Sequence, residues 1–166
     1  MAGGSGAYTL ALLKQNPKLR ATILDFPETV ATSRRYAAEA GMSDRVQHVA
    51  GNAITTDWPG AQDAILMSYL WSAVGANDVK VLARRAFEAT RPGGLVLVHD
   101  FMVDDAYEGP RFAAWYLLSS LVDNPEAECL TPAFVEDALR DAGFEIERTE
   151  TMLEGITSLT RARRPG

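Results

Sequence analysis

The sequence predicts an α/β fold: a mostly parallel sheet covered by helices, with an antiparallel pair of strands near the C-terminus. Short apolar runs alternate with helix-like segments along most of the 166 residues. Near-continuous apolar strands between helices are typical of a parallel sheet that is buried on both faces. The last two strand-like runs instead follow each other through Gly155, which indicates an antiparallel pair. We expect one domain over residues 1–166.

Each element has a local signal. Pro27 suits a first helical turn, Gly41 suits a C-cap, and Thr131 supplies an N-cap. The run Arg91-Pro92-Gly93-Gly94 predicts a turn before a strand. The predicted strands are 21–24, 46–50, 63–67, 95–98, 144–148 and 156–161, and the predicted helices are 8–15, 29–40, 77–90, 112–122 and 132–142.

The composition excludes several classes of function. The net charge of −6 gives no electrostatic footprint for nucleic acid. Cys129 is the single cysteine, so the sequence predicts neither a disulfide framework nor a cysteine-based zinc site, and we expect no bound metal. The sequence contains neither an apolar stretch that would span a bilayer nor a signal peptide. We expect a cytoplasmic protein without membrane or nucleic-acid partners.

A glycine-rich turn leads into the first predicted helix. Gly3, Gly4 and Gly6 lie about 20 residues before Asp25, which ends the next strand. Such a turn lets a ligand approach the backbone, and the carboxylate is placed to bind ribose hydroxyls. A strand normally precedes these glycines, and the sequence has no room for it. We therefore expect a Rossmann-like sheet whose first strand is missing.

A second polar position follows the next strand. Gly51 and Asn52 come directly after the 46–50 run, where a carboxamide can hydrogen-bond the exocyclic amine of adenine. Asn52 alone is more typical of an ordinary turn, and the glycines alone are equally compatible with a flexible terminus. Because the carboxyl ends of successive parallel strands converge on one crevice, the three elements together favour a nucleoside pocket.

These residues also carry a resemblance to a known family. With Pro17, the 25–30 run, the 91–94 turn and the Ala142-Gly143-Phe144 segment, the chain resembles the catalytic domain of class I S-adenosylmethionine-dependent methyltransferases. Within that class it resembles the caffeate and acetylserotonin O-methyltransferase group. The resemblance implies S-adenosyl-L-methionine as the cofactor and a small molecule as the acceptor. It implies cofactor contacts by Gly3, Gly4, Gly6, Asp25, Phe26, Asn52, Ala53, Ser68 and Tyr69.

The chain departs from the family pattern at the general base. The family has a His-Asp-Trp segment after its fourth strand, whereas the matching stretch here, residues 70–74, contains no histidine. Loss of such a base usually lowers the rate by about two to four orders of magnitude. His99, at the end of the 95–98 strand, is the remaining candidate catalytic residue. The alternative for His99 is a structural role.

The identity of the methylated atom therefore stays open. A hydroxyl must lose a proton as it attacks, whereas a thioether has none to lose and needs no base. The stretches 71–77 and 99–104 are similar to methylthiohydroxybutyrate S-methyltransferases. O-methylation and S-methylation are close competitors, and in both the protein mainly aligns the nucleophile with the methyl carbon.

Aromatic residues supply the predicted substrate contacts. Trp71, Trp115 and Tyr116 are candidates to wall the acceptor or to contact the sulfonium by cation–π interaction, with core or interface packing as the alternative. The 112–122 helix is apolar on most sides, which is typical of a helix that is buried or faces another subunit. The resemblance implies an N-terminal dimerisation domain, which this sequence lacks, and a homodimer in the full-length form.

Two further interpretations compete with an active methyltransferase. One is a degenerate or truncated methyltransferase-like domain without independent activity, since a missing strand leaves unpaired sheet edges. The other is a nicotinamide-dependent oxidoreductase. It is the weaker of the two, because the glycine pattern lacks the third glycine of that fingerprint.

Overall fold

Two groups of elements make up the chain, as the computed structural model of all 166 residues shows. Residues Met1–Pro59 form the first unit and Gly60–Gly166 form the second. The single domain expected over residues 1–166 stays a prediction.

The first unit contains two helices and a pair of parallel strands. They are α1 (Ala7–Gln15), β1 (Ala21–Asp25), α2 (Pro27–Glu39) and β2 (Val46–Ala50). In the register of the two strands Asp25 lies opposite Ala50, so both strands end at the same edge. One cluster of its buried core takes one residue from each element: Leu13, Ile23, Ala37 and Val46.

The second unit is a four-stranded mixed sheet with helices. Its elements are β3 (Gln62–Ser68), α3 (Ala76–Ala89), β4 (Thr90–Asp100), α4 (Arg111–Asp123), α5 (Pro132–Asp141), β5 (Glu145–Leu153) and β6 (Thr157–Arg163). The strand order is β3-β4-β6-β5. β3 and β4 are parallel, whereas β6 runs antiparallel to both β4 and β5. The predicted α/β fold, with parallel strands first and an antiparallel pair at the end, is confirmed.

The segment Arg91–Gly94 differs from the turn that the sequence predicts. It lies inside β4, where the register with β3 passes from Gln62 opposite Thr90 to Ala64 opposite Leu95. The extra residues form a bulge that the chain accommodates with glycine. A Cβ on Gly94 would lie 2.6 Å from the Thr90 side chain.

Helix α4 buries one side and exposes the other. Ala113 and Leu117 are buried in the second unit. In contrast, Trp115, Leu118 and Val122 are 63%, 66% and 84% exposed. The predicted apolar character on most sides is confirmed, and a partner for the exposed side stays a prediction. No helix of the chain combines the length and the apolar character that crossing a membrane requires.

Candidate functional site

The glycine turn of the first unit folds closely against β1. The Gly3 N–H donates to the Leu24 carbonyl at 3.4 Å, and a Cβ on Gly3 would lie 2.7 Å from Ile23 Cγ2. Gly6 forms the N-cap of α1 with φ 82, a left-handed conformation that favours glycine. A Cβ on Gly4 would meet no atom within 4 Å. The turn is therefore packed beneath Gly3 and open at Gly4.

The Asp25 carboxylate joins this turn to the end of β1. Its Oδ2 accepts the Gly4 N–H at 2.8 Å, and its Oδ1 accepts the Phe26 N–H at 2.7 Å. A carboxylate has about four acceptor positions, so further acceptor capacity remains for ligand hydroxyls. Phe26 itself is 55% exposed next to this carboxylate.

The loop after β2 is hydrogen-bonded to the C-terminal end of β1. The Gly51 N–H donates to the Asp25 carbonyl at 2.8 Å, and Asn52 Oδ1 accepts the Ile54 N–H at 2.8 Å. Because a backbone N–H can only donate, this bond fixes which end of the carboxamide is the oxygen. That oxygen keeps a second lone pair for an amine donor. Ala53 is buried beside it.

The first unit therefore brings together the glycine turn, the end of β1 and the Asn52 loop, the three elements for which the sequence predicts a nucleoside pocket. Hydrogen bonds connect Gly4 to Asp25 and Asp25 to Gly51, so the turn, the strand end and the Asn52 loop form one cluster. The individual cofactor contacts of Gly3, Gly4, Gly6, Asp25, Phe26, Asn52 and Ala53 stay predictions.

In the second unit, His99 lies at the end of β4 with both ring nitrogens engaged. Nδ1 is 2.9 Å from Ser68 Oγ on β3, and Nε2 is 3.0 Å from Thr157 Oγ1 on β6. Burial lowers the pKa of His99 below its ordinary value. The ring thus links three strands, which favours the structural alternative for His99, and its catalytic role stays a prediction.

Asp100 does not orient His99. Its Oδ2 accepts the N–H groups of Trp71 and Ser72 at 3.1 and 3.2 Å, and its Oδ1 accepts the Phe101 N–H at 2.9 Å. Burial raises the pKa of Asp100, while hydrogen bonds from Ser72, Phe101 and Trp71 act in the opposite direction. Asp100 therefore holds the short helical turn Trp71–Ala73 against the end of β4.

An aromatic cluster packs next to the buried His99 ring. The Tyr69 ring lies 4.9 Å from the His99 ring and 5.0 Å from Phe101, and Phe101 stacks on Tyr116 at 3.7 Å. Tyr69 has φ 54, which is unusual for a residue other than glycine. Its N–H donates to the His99 carbonyl at 2.9 Å. Whether Ser68 and Tyr69 contact a cofactor, and Tyr116 a substrate, stays a prediction.

The two tryptophans predicted to contact a substrate lie in opposite environments. Trp71 is 0% exposed, and its indole N–H donates to Met67 Sδ at 3.3 Å. This burial favours core packing for Trp71, and its predicted contact with a substrate stays a prediction. Trp115 is exposed on α4 with its ring 5.7 Å from Phe112, and its substrate contact stays a prediction.

Two polar contacts, one in each unit, have no signal in the sequence. Thr157 is 58 residues from His99, its hydrogen-bonding partner, and nothing local marks it. Trp58, whose indole N–H donates to the Ala53 carbonyl at 2.8 Å, resembles an ordinary loop aromatic. The chain contains no group of three or more His, Cys, Asp or Glu side chains arranged to hold a metal ion.

Comparison with known proteins identifies the family. A family model described as an O-methyltransferase domain matches residues 1–145. The chain belongs to this O-methyltransferase family. The 3-hydroxy-5-methyl-1-naphthoate 3-O-methyltransferase of Streptomyces sahachiroi is 32% identical over 149 residues, which are 90% of the chain and 43% of that protein. The acetylserotonin O-methyltransferase of Bos taurus is 31% identical over 144 residues, 87% of the chain and 41% of that protein.

A solved methyltransferase structure agrees with the methyltransferase assignment. The apo structure of the S-adenosylmethionine-dependent methyltransferase SibL superimposes with a TM-score of 0.84 and 29% identity, over 99% of this chain and 49% of that one. The predicted resemblance to the acetylserotonin O-methyltransferase group is confirmed. The chain spans less than half the length of the curated relatives named here.

Proposed function

We propose that this chain is the cofactor-binding part of an enzyme that transfers a methyl group from S-adenosyl-L-methionine to an oxygen atom of a small molecule. The observation that carries the proposal is the Asp25 carboxylate, which is held at the end of β1 by the amides of Gly4 and Phe26. Membership of the O-methyltransferase family supports the reaction, and the relatives named above act on oxygen according to their names.

The residues of the first unit fit the cofactor part by part. The Asp25 carboxylate retains acceptor capacity for the two ribose hydroxyls, and the Asn52 carboxamide presents an oriented oxygen for the adenine amine. The open space at Gly4 allows a ligand to approach the backbone. When bound, the cofactor's sulfonium supplies an activated methyl group.

Oxygen is favoured over sulfur as the methylated atom, because both the family description and the relatives named above concern O-methylation. A hydroxyl acceptor must lose its proton. His99 would have to exchange its bond to Ser68 or Thr157 before accepting that proton. The geometry therefore favours a structural role for His99, and another group or solvent as the proton acceptor.

We also propose that the methyl acceptor is a small molecule, as in the relatives whose names state one. We further propose a homodimer, supported by the exposed apolar side of α4, where Val122 is 84% exposed. A degenerate domain is not favoured, because the cluster from Gly4 through Asp25 to Gly51 is intact.

The test is calorimetric titration of the chain with S-adenosylhomocysteine, the product that retains every predicted contact group. We expect saturable binding at one site per chain, and no binding of NADH. Circular dichroism of the same sample reports whether the chain is folded. A folded chain that binds no S-adenosylhomocysteine would contradict the proposed cofactor and favour the degenerate domain.

A further inference from the structure

The loop after β2 is held in shape by hydrogen bonds of several kinds. The Asn52 carbonyl accepts the N–H groups of Thr55 and Thr56 at 3.1 and 2.8 Å, and the Asn52 side chain accepts the Ile54 N–H. The fold of the loop is tight, since a Cβ on Gly51 would lie 2.1 Å from Thr56 Oγ1. These bonds shape the turn from within.

A bond from a more distant side chain fixes the middle of the loop. The Trp58 indole N–H donates to the Ala53 carbonyl at 2.8 Å, five residues back along the chain. Ala53 is buried and Trp58 half-buried, so this bond is partly shielded from competing water. The Ala53 carbonyl belongs to the peptide whose nitrogen is the Ile54 N–H. Because the peptide is planar, a fixed Ala53 carbonyl also fixes the direction of the Ile54 N–H, which donates a hydrogen bond to Asn52 Oδ1.

We propose that Trp58 is a positioning residue for base recognition: it fixes the Ala53–Ile54 peptide, and through it the rotamer and the amide orientation of Asn52. The inference rests on the proposed function, which places adenine at Asn52. An amide whose oxygen is held by Ile54 presents an acceptor to the base. Rotating the amide by half a turn would place its NH₂ against the Ile54 N–H, a contact between two donors.

This arrangement predicts discrimination between purines. Adenine offers an exocyclic amine as a donor, whereas hypoxanthine has a carbonyl oxygen at the same position. A fixed Asn52 Oδ1 accepts a hydrogen bond from the adenine amine. Against hypoxanthine it faces a carbonyl oxygen, so that two acceptors oppose each other. If the Ala53–Ile54 peptide is released, the amide can turn to suit either base, and the preference declines.

The experiment compares S-adenosylhomocysteine with S-inosylhomocysteine by calorimetry on the full chain. We expect the wild-type chain to prefer the adenine ligand. Trp58→Phe, which keeps an aromatic ring and removes the N–H, should lower the ratio of the two affinities by about threefold or more, as expected for loss of one hydrogen bond. Trp58→His, which restores a ring N–H, should recover part of that ratio.

Tyr36→Phe is the matched control. It removes a polar hydrogen from a half-exposed aromatic residue of α2 in the same unit, and the affinity ratio should stay at the wild-type value. A general loss of stability in Trp58→Phe would weaken both ligands equally and leave the ratio unchanged. The ratio therefore separates positioning from a merely structural role.

The outcomes are distinct. An unchanged ratio in Trp58→Phe, or a ratio in Trp58→His as low as that in Trp58→Phe, overturns the role of Trp58 and leaves the proposed function standing. A folded wild-type chain that binds neither ligand overturns the proposed function, and this inference with it. Should Trp58→Phe fail to fold, Trp58→Leu, which also removes the N–H, takes its place in the same comparison: a lowered ratio supports the bond to the Ala53 carbonyl, and a wild-type ratio overturns it.

Discussion

Replacement of Asp25 gives the sharpest test of the nucleoside site. In the structure its two oxygens already hold the Gly4 and Phe26 amides, and the proposal adds two ribose hydroxyls. A hydrogen bond to a charged group contributes about 1.5–3 kcal/mol. Because Asp25 is half-buried, we take the lower value for each ribose bond. Two bonds then give about 3 kcal/mol, or roughly a hundredfold in the dissociation constant.

The assay is calorimetric titration of Asp25→Ala with S-adenosylhomocysteine. Asp25→Asn should have an intermediate affinity: it keeps one oxygen, but its NH₂ must face either the Gly4 or the Phe26 amide, donor to donor. Glu28→Gln is the control, since Glu28 is an exposed carboxylate in the first turn of α2. We expect its affinity to equal that of the wild-type chain.

The loss in Asp25→Ala has two possible sources, the ribose bonds and the order of the glycine turn. A ligand with a 2′-deoxyribose separates them. If Asp25 binds the ribose, removing the hydroxyl weakens the wild-type complex by about tenfold or more and affects the Asp25→Ala complex much less. If Asp25 only orders the turn, both proteins lose the same factor. An unchanged affinity of Asp25→Ala for the normal ligand refutes the assignment altogether.

Three further changes test other parts of the structure. Gly51→Ala should destabilise the chain by about 1–3 kcal/mol in urea denaturation, because its Cβ would lie 2.1 Å from Thr56 Oγ1, whereas Gly60→Ala, with open space, should not. Burial lowers the pKa of His99 from 6.5; stability linked to its neutral ring is therefore present above that value and lost as the pH falls through the folded pKa. As the pH falls from about 7 to 5, the free energy of unfolding of His99→Gln should therefore decrease less than that of the wild-type chain. Equal decreases would contradict the lowered pKa of His99. Leu118→Lys should reduce self-association in light scattering, since Leu118 is 66% exposed on α4; a monomeric wild-type chain would contradict the proposed dimer.

The fold was predictable because its signals are local. The parallel strands are apolar runs a few residues long, and the hairpin turn at Gly155 has φ 70, which explains a glycine there. The Arg91–Gly94 segment was harder, because a Pro-Gly-Gly run indicates a turn whether or not the neighbouring strand pairs through it. The pairing that makes it a bulge depends on β3, which lies almost 30 residues earlier.

The same distinction explains which site residues the sequence reveals. Asp25 ends β1 and Asn52 lies two residues after the end of β2, and parallel strands that end together bring such positions close to each other. The role of His99 depends on Ser68 and Thr157, which are 31 and 58 residues away. If Ser68 or Thr157 were absent, one ring nitrogen of His99 could take a proton from the hydroxyl of the methyl acceptor. With both present, both ring nitrogens are hydrogen-bonded, so the chemistry open to His99 depends on two hydroxyls that no local pattern marks.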